Sequence, residues 1–189
     1  MPRIQMLNIK NLFIIVPLVV FMQCREKAAS DQTSGTTQPS ELDNSAVSGL
    51  YTHYVQNPQL QAHKDENLII DHIVSTGEDF QRHETGFYYL IMSEGKGDKY
   101  SWSAPCTTHY RGYFLNGDVF DSSYAKDKPI SFRIGQMIQA WNIILQEVSP
   151  GAKLKIIVPS RLAYGTSGFP GYVPPNTVIA FDIETLAAG

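Results

Sequence analysis

The chemically richest stretch of the chain is residues 161–182, RLAYGTSGFPGYVPPNTVIAFD. Gly165, Gly168 and Gly171 allow positive φ, while Pro170, Pro174 and Pro175 hold φ near about −65° and donate no backbone hydrogen. The segment therefore folds back as a loop and does not join a ladder. Aromatic side chains on such a loop can overhang a pocket. The strand that follows, Thr177 to Leu186, alternates Ile179, Phe181 and Ile183 on one face and can turn a ring toward the same cavity. Loop and strand together describe an apolar, ring-walled site.

Other reactive constellations are weak. His53, His63, His72, His83 and His109 show no paired metal-ligand spacing, so no metal is expected. Asp182 and Glu184 share the strand face opposite Phe181 and Ile183, which suits a solvated side rather than an acid-base pair. Cys106 lies in a strand-like run and reads as a small buried hydrophobe. No glycine loop followed by Lys-Ser/Thr is present to cradle a phosphate. No cofactor is called for.

The elements that must position this site are mostly strands. Phe87–Met92 and Cys106–Leu115 read as strands, and Asn116-Gly117 signals a hairpin, expected as a type I′ turn returning the chain through Asp118–Asp121. That return brings Phe120 back near Tyr110. Ile138, Trp141, Leu145 and Val148 at helical spacing predict a helix within 134–148, ended by Ser149-Pro150-Gly151. Lys153–Pro159 alternates Leu154, Ile156 and Val158 as a further strand. The sum is an α+β fold, an antiparallel sheet wrapped on one short helix. Upstream, residues 66–75 place Ile69, Ile70, Ile73 and Val74 on one face of a short amphipathic helix stopped by Gly77. That helix is expected to dock on its own domain, with a dimer contact as the alternative.

The motifs His109-Tyr110-Arg111-Gly112, Asn116 through Ser123, Lys128 through Phe132, Ile138 through Trp141, and Ala163-Tyr164-Gly165 through Phe181-Asp182 occur in an order and at a spacing that resemble the FKBP-type peptidyl-prolyl cis-trans isomerases. The resemblance covers residues 86–187. It implies a half-barrel of five or six strands with the helix across its concave face, and isomerisation of Xaa-Pro bonds in proline-containing polypeptides. It also assigns roles. Trp141 would floor the pocket, with Tyr110, Phe120, Phe132 and Phe181 as walls and Met137, Ile138 and Val173 at the rim. The Tyr164 hydroxyl and the Ile138 N–H would meet substrate carbonyls, and Asp121 would set a polar edge beside Tyr110. Departures from the family pattern fall at Ile130, Ala140, Ile144, Phe169 and Tyr172, and Tyr172 could narrow the entrance. They point to an altered preference before the proline and leave the affinity for the family's macrolide inhibitors open.

The ends of the chain bound where such a domain works. Arg3 and Lys10 precede an apolar run, Leu12–Met22, that is broken by Pro17 and shorter than the about 20 residues a spanning helix needs. This is the layout of a signal peptide, residues 1–23. Phe21-Met22-Gln23-Cys24 resembles a loose lipobox, which implies lipidation at Cys24 and a membrane held through acyl chains. Residues 24–49 are polar and read as a flexible tether, 50–85 as a helical extension, and 86–189 as the isomerase domain. Arg25 after the cysteine favours the periplasmic side of the outer membrane. The layout is similar to that of gliding-motility-associated isomerase lipoproteins, so the alternative to an enzyme for exported proteins is a non-catalytic proline-binding module of an envelope assembly.

Removing residues 1–23 takes away two positive charges and no acid, shifting the formal charge from −3 to −5, so nucleic-acid binding is not expected. With Cys24 acylated, Cys106 has no partner for an intrachain disulfide, and stability must come from the core. A hydrophobic content of 43%, with ten Tyr and nine Phe, suits one globular domain plus an extension.

Overall fold

The computed structural model describes residues 42–186. The signal peptide, Cys24 and most of the expected tether lie outside them. Seven strands form one antiparallel sheet in the order β1-β2-β6-β7-β3-β4, with β5 also paired to β3. They are β1 (Gln81–Arg82), β2 (Tyr88–Ser93), β3 (Pro105–Phe114), β4 (Val119–Ser122), β5 (Ile130–Arg133), β6 (Lys153–Val158) and β7 (Ile179–Thr185). The helices are α1 (Asn44–Tyr51), α2 (Gln61–Thr76) and α3 (Gln139–Ile144).

The period of two along β6 and β7 sorts side chains to two faces. Leu154↔Ile183, Ile156↔Phe181 and Val158↔Ile179 are cross-strand partners, and all six belong to the core that also holds Trp141, Ile144 and Leu145 around α3. The intervening Tyr88↔Ile157 and Ile157↔Ala180 pairs face the other way, into a second core with Leu50 of α1 and Ile69, Ile70 and Ile73 of α2. Helices therefore cover both faces of the sheet, α3 on one and, on the other, the upstream helix that was expected to dock on its own domain. Each fully buried isoleucine of α2 contributes about 1.5–3 kcal/mol to that docking. Polar contacts add direction: the Tyr88 hydroxyl donates to Glu66 at 2.6 Å and Arg82 Nε donates to the same carboxylate at 2.7 Å.

Several expectations need correction. The tether stops short of residue 49, because Asp43 accepts from the Ser45 and Ala46 amides at 2.9 and 2.8 Å and caps α1, whose Leu50 is buried. α2 starts at Gln61 rather than Glu66. Its first turns are secured by a bond from Gln61 Nε2 to Asp65 Oδ1 at 2.7 Å, and Gly77 at φ 72 ends it as the glycine stop required. Asn67, off the apolar face, is nonetheless buried, and it clasps the Val55 amide and carbonyl at 2.9 and 2.7 Å.

The hairpin after β3 is not type I′. Gly117 has φ 93, Asn116 is not in the positive-φ region, and the Gly117 N–H donates to Phe114 O at 2.8 Å. This is a three-residue connection with a glycine bulge, and a separate register shift follows further along the hairpin, between Gly112 and Tyr113. The helix expected within 134–148 is only α3 followed by a 3-10 turn, Leu145–Glu147. Asn142 explains its late start: its Oδ1 accepts from Gly135 N and Met137 N at 2.8 and 3.2 Å, and its Nδ2 donates to Met137 O at 2.6 Å. Those bonds hold residues 135–137 as a turn. The two-residue β1 and the short β5 were not foreseen as strands.

Candidate functional site

One cleft is lined by Tyr110 from β3, Phe120 and Asp121 from β4, Met137, Ile138 and Trp141 at the start of α3, Tyr164 from the glycine-rich loop, and Phe181 from β7. All eight were singled out in the sequence. The strands bring them together by register: Tyr110 opposes Ile183 and Gly112 opposes Phe181 across β3 and β7, while Gly112 opposes Asp121 across β3 and β4. The cleft encloses about 50 Å³. A water needs about 10–15 Å³ of such space, so there is room for a few waters or one small ring.

Trp141 is buried in the concave core, and three rings pack around it. Tyr110 and Phe181 meet it edge-on, with centroids at 5.5 and 5.3 Å and interplanar angles of 85° and 84°, and Phe132 lies at 5.9 Å. Phe120 meets Phe181 edge-on at 5.8 Å and tilts against Phe114 at 5.2 Å. Edge-to-face contacts of this kind add about 0.5–1.5 kcal/mol each beyond burial and set the ring planes. Gly112 makes the arrangement possible. A Cβ there would lie 2.7 Å from Phe120 Cζ and 2.9 Å from Phe181 Cε1, so the two rings occupy the space a side chain would need.

One edge of the cleft is charged. The Tyr110 hydroxyl donates to Asp121 Oδ2, and Lys126 Nζ and Ser122 N donate to Oδ1 at 2.6 and 2.9 Å. Burial works to raise the Asp121 carboxyl, but the bonds from Lys126 and Tyr110 outweigh it and hold the group below its ordinary value. The Tyr110 hydroxyl is pushed up, first by burial and then by the bond to Asp121. It is a neutral donor at neutral pH. Ser123 supports it from behind, its Oγ accepting from Tyr110 N at 2.7 Å.

Three donors at the cleft have no partner among the described residues. Neither the Tyr164 hydroxyl nor the Ile138 N–H has an acceptor among the described residues. Ile138 owes this to its place: it caps α3 at φ −56 and ψ 154, where its own amide precedes the helical ladder. Trp141 Nε1, buried in the cleft floor, also has no partner among the described residues.

The remaining residues singled out lie apart from the cleft lining. Phe132 is half-buried against Trp141, and Val173 is buried in the core. The Val173 carbonyl accepts from Phe169 N at 2.7 Å, which closes the loop and draws its side chain inward. Tyr172 is more than half exposed and stacks on Phe169 at 4.8 Å and 17°, and Phe169 in turn stacks on Tyr164 at 5.2 Å and 14°. The three rings thus stack in series from Tyr164 in the cleft lining to the exposed Tyr172. Gly165, Gly168 and Gly171 have φ 57, 65 and 82, the left-handed values the loop needs. Lys126 was missed in the sequence; its position five residues after Asp121, on the returning strand's exit, was the available signal.

The chain matches known proteins over this same region. The family model of the FKBP-type peptidyl-prolyl cis-trans isomerases matches residues 98–186. FkpA of Escherichia coli is 38% identical over 102 residues, covering 54% of this chain and 37% of the relative. FkpA of Buchnera aphidicola subsp. Acyrthosiphon pisum is 32% identical over 169 residues, covering 85% of this chain and 69% of the relative. The crystal structure of Escherichia coli FkpA superposes with a TM-score of 0.60 at 31% identity, over 66% of this chain and 59% of that one. An antiparallel sheet around an aromatic cleft, with these likenesses, defines the class: the chain belongs to the FKBP-type peptidyl-prolyl cis-trans isomerase family. It spans 37% of the length of the Escherichia coli relative it matches.

Proposed function

We propose that the protein is a peptidyl-prolyl cis-trans isomerase acting on proline-containing polypeptides of the cell envelope. The observation that carries this reading is the pairing of a ring-walled cleft over Trp141 with two unsatisfied donors, the Tyr164 hydroxyl and the Ile138 N–H. An Xaa-Pro bond isomerises through a twisted amide that has lost its resonance, against a barrier of about 18–20 kcal/mol. No bond is made or broken. A catalyst therefore needs no nucleophile; it must hold the twisted form better than either planar one. An apolar cleft that seats the proline ring strips water from the amide and disfavours its charge-separated planar form. Donors fixed on either side can hold the flanking carbonyls in the twisted geometry. Lowering the barrier by about 5.5 kcal/mol gives roughly ten-thousandfold acceleration.

In this reading Trp141 supports the proline ring, Tyr110, Phe120 and Phe181 exclude water, and Asp121 fixes the Tyr110 ring through its hydroxyl. Met137 and Ile138 close one side. The signal-peptide layout before Cys24 supports a lipid anchor on the periplasmic side of the outer membrane and a role in folding exported proteins. Replacing Cys24 with Ser should abolish palmitate labelling and release the chain from the membrane fraction.

The deciding experiment is isomerisation of short Xaa-Pro peptides by the detergent-solubilised full chain, beside folded Phe120→Ala and Trp141→Ala variants. Acceleration by the wild type that falls in the variants supports the enzyme. No acceleration by a folded wild type across varied Xaa overturns it and leaves a proline-binding module of an envelope or gliding-motility assembly.

A further inference from the structure

The first turns of α2 and both ends of the loop that carries Tyr164 are joined in a closed circuit of hydrogen bonds. Asp65 is fully buried, and its Oδ2 accepts from Ser160 N at 2.8 Å and from Ser160 Oγ at 2.6 Å. The Ser160 carbonyl accepts in turn from Ala163 N and Gly165 N at 3.0 and 2.8 Å, the residues on either side of Tyr164. The Gly165 carbonyl accepts from Asn176 N at 2.8 Å, beyond the far end of the loop. The Asn176 carbonyl accepts from Gln61 Nε2 at 3.4 Å, and the same amide nitrogen donates to Asp65 Oδ1 at 2.7 Å, which closes the ring. Asn176 stands at φ 53, a left-handed value that asparagine tolerates better than most residues.

We infer that Asp65 is a positioning residue for the cleft, holding the Tyr164 loop from a helix outside the matched isomerase domain. The inference rests on reading the cleft as an isomerase site. Three features carry it. The carboxyl group has no Lys or Arg partner among the described residues and is met by neutral donors, two of the three from the loop's base. Removing the acceptor leaves a buried N–H and a buried hydroxyl unpaired. Docking of α2 on the sheet is already provided by Ile69, Ile70 and Ile73, whereas the Asp65 circuit ends on the loop. A tyrosine hydroxyl that must meet a twisted amide is sensitive to displacements well under the size of its ring.

The test compares the full chain with its Asp65→Ala and Asp65→Asn variants, in amide hydrogen exchange and in Xaa-Pro isomerisation. In Asp65→Ala the Gly165, Gly168 and Phe169 amides should exchange at least about tenfold faster than in the wild type, with the sheet amides of Ile156 and Phe181 unchanged, and kcat/KM should fall about tenfold. Asp65→Asn should recover most of both, because an amide oxygen still accepts from Ser160 N and Oγ. Loop amides that exchange as in the wild type overturn the proposal, and so does a loosened loop with unchanged kcat/KM. If Asp65→Ala fails to fold, Ser160→Ala should show the same changes at about threefold, and no change there also overturns it. A wild-type chain without isomerase activity defeats the enzyme reading instead, and the exchange comparison then decides alone whether Asp65 orders the loop.

Discussion

The Tyr110 hydroxyl donates to Asp121 Oδ2 across the β3–β4 hairpin, joining an aromatic wall of the cleft to its charged edge. Because burial is outweighed by the bonds from Lys126 and Tyr110, the Asp121 carboxyl lies below its ordinary value in the folded chain. A carboxyl lowered on folding stabilises the fold above its unfolded value, near about 4, and that contribution is lost as pH falls through the folded value. Asp121→Asn should therefore lower the thermal midpoint at neutral pH by the equivalent of about 1 kcal/mol, with the gap to the wild type closing as the pH falls below the ordinary carboxylate range. Thermal unfolding of both proteins across that range checks it. A gap that persists in acid would show that the charge is not its source.

Tyr164→Phe separates function from stability. The hydroxyl has no acceptor among the described residues, so its removal should change the unfolding free energy by no more than about 0.5 kcal/mol. Xaa-Pro isomerisation should nevertheless slow by about threefold to tenfold, the worth of one hydrogen bond of about 0.7–1.4 kcal/mol. Urea unfolding alongside peptide kinetics gives both numbers, and equal kinetics in the two proteins would remove Tyr164 from the mechanism.

Gly112→Ala adds one methyl group where Phe120 and Phe181 already press on the backbone. The two rings are short and held by their neighbours, so one of them must move, at about 1–3 kcal/mol. The cleft wall moves with it. Lower stability with weaker isomerisation is the expected result; a variant as active and stable as the wild type would mean the rings yield freely.

Ile70→Ala probes the second core. The side chain is fully buried between α2 and the sheet, and truncation should cost about 2–5 kcal/mol. If α2 unfolds with the sheet, denaturation followed by near-ultraviolet and far-ultraviolet circular dichroism will give coincident transitions. Separate transitions would show that the extension melts independently.

What could be read from the residues followed local physics. The alternation of Leu154, Ile156 and Val158, and of Ile179, Phe181 and Ile183, assigned a face to each side chain, and the two strands do present those faces to one core. Gly165, Gly168 and Gly171 stand in the loop where positive φ is needed. Less legible were features that depend on competing partners. Asn142 accepts two amides of the preceding turn, so α3 starts later than its apolar spacing implies. Asn116 could have adopted the left-handed conformation of a tight turn but instead accepts from Asp118 N at 3.1 Å in a longer one. Asn67 lies off the apolar stripe of α2, yet its amide fits the Val55 backbone and is buried.

The strand faces and the glycine turns of the loop were determined by the sequence alone, because periodicity and backbone preference act between near neighbours, while the ring set of the cleft followed from the order of motifs and the family they resemble. The tertiary structure decided which distant groups meet. It set α2 against the back of the sheet, gave Asp121 the hydroxyl of Tyr110, and joined Asp65 to Ser160, 95 residues away. Partners of that kind are chosen only when the strands align in register, since a buried polar group must be satisfied by whatever the packed fold brings within reach.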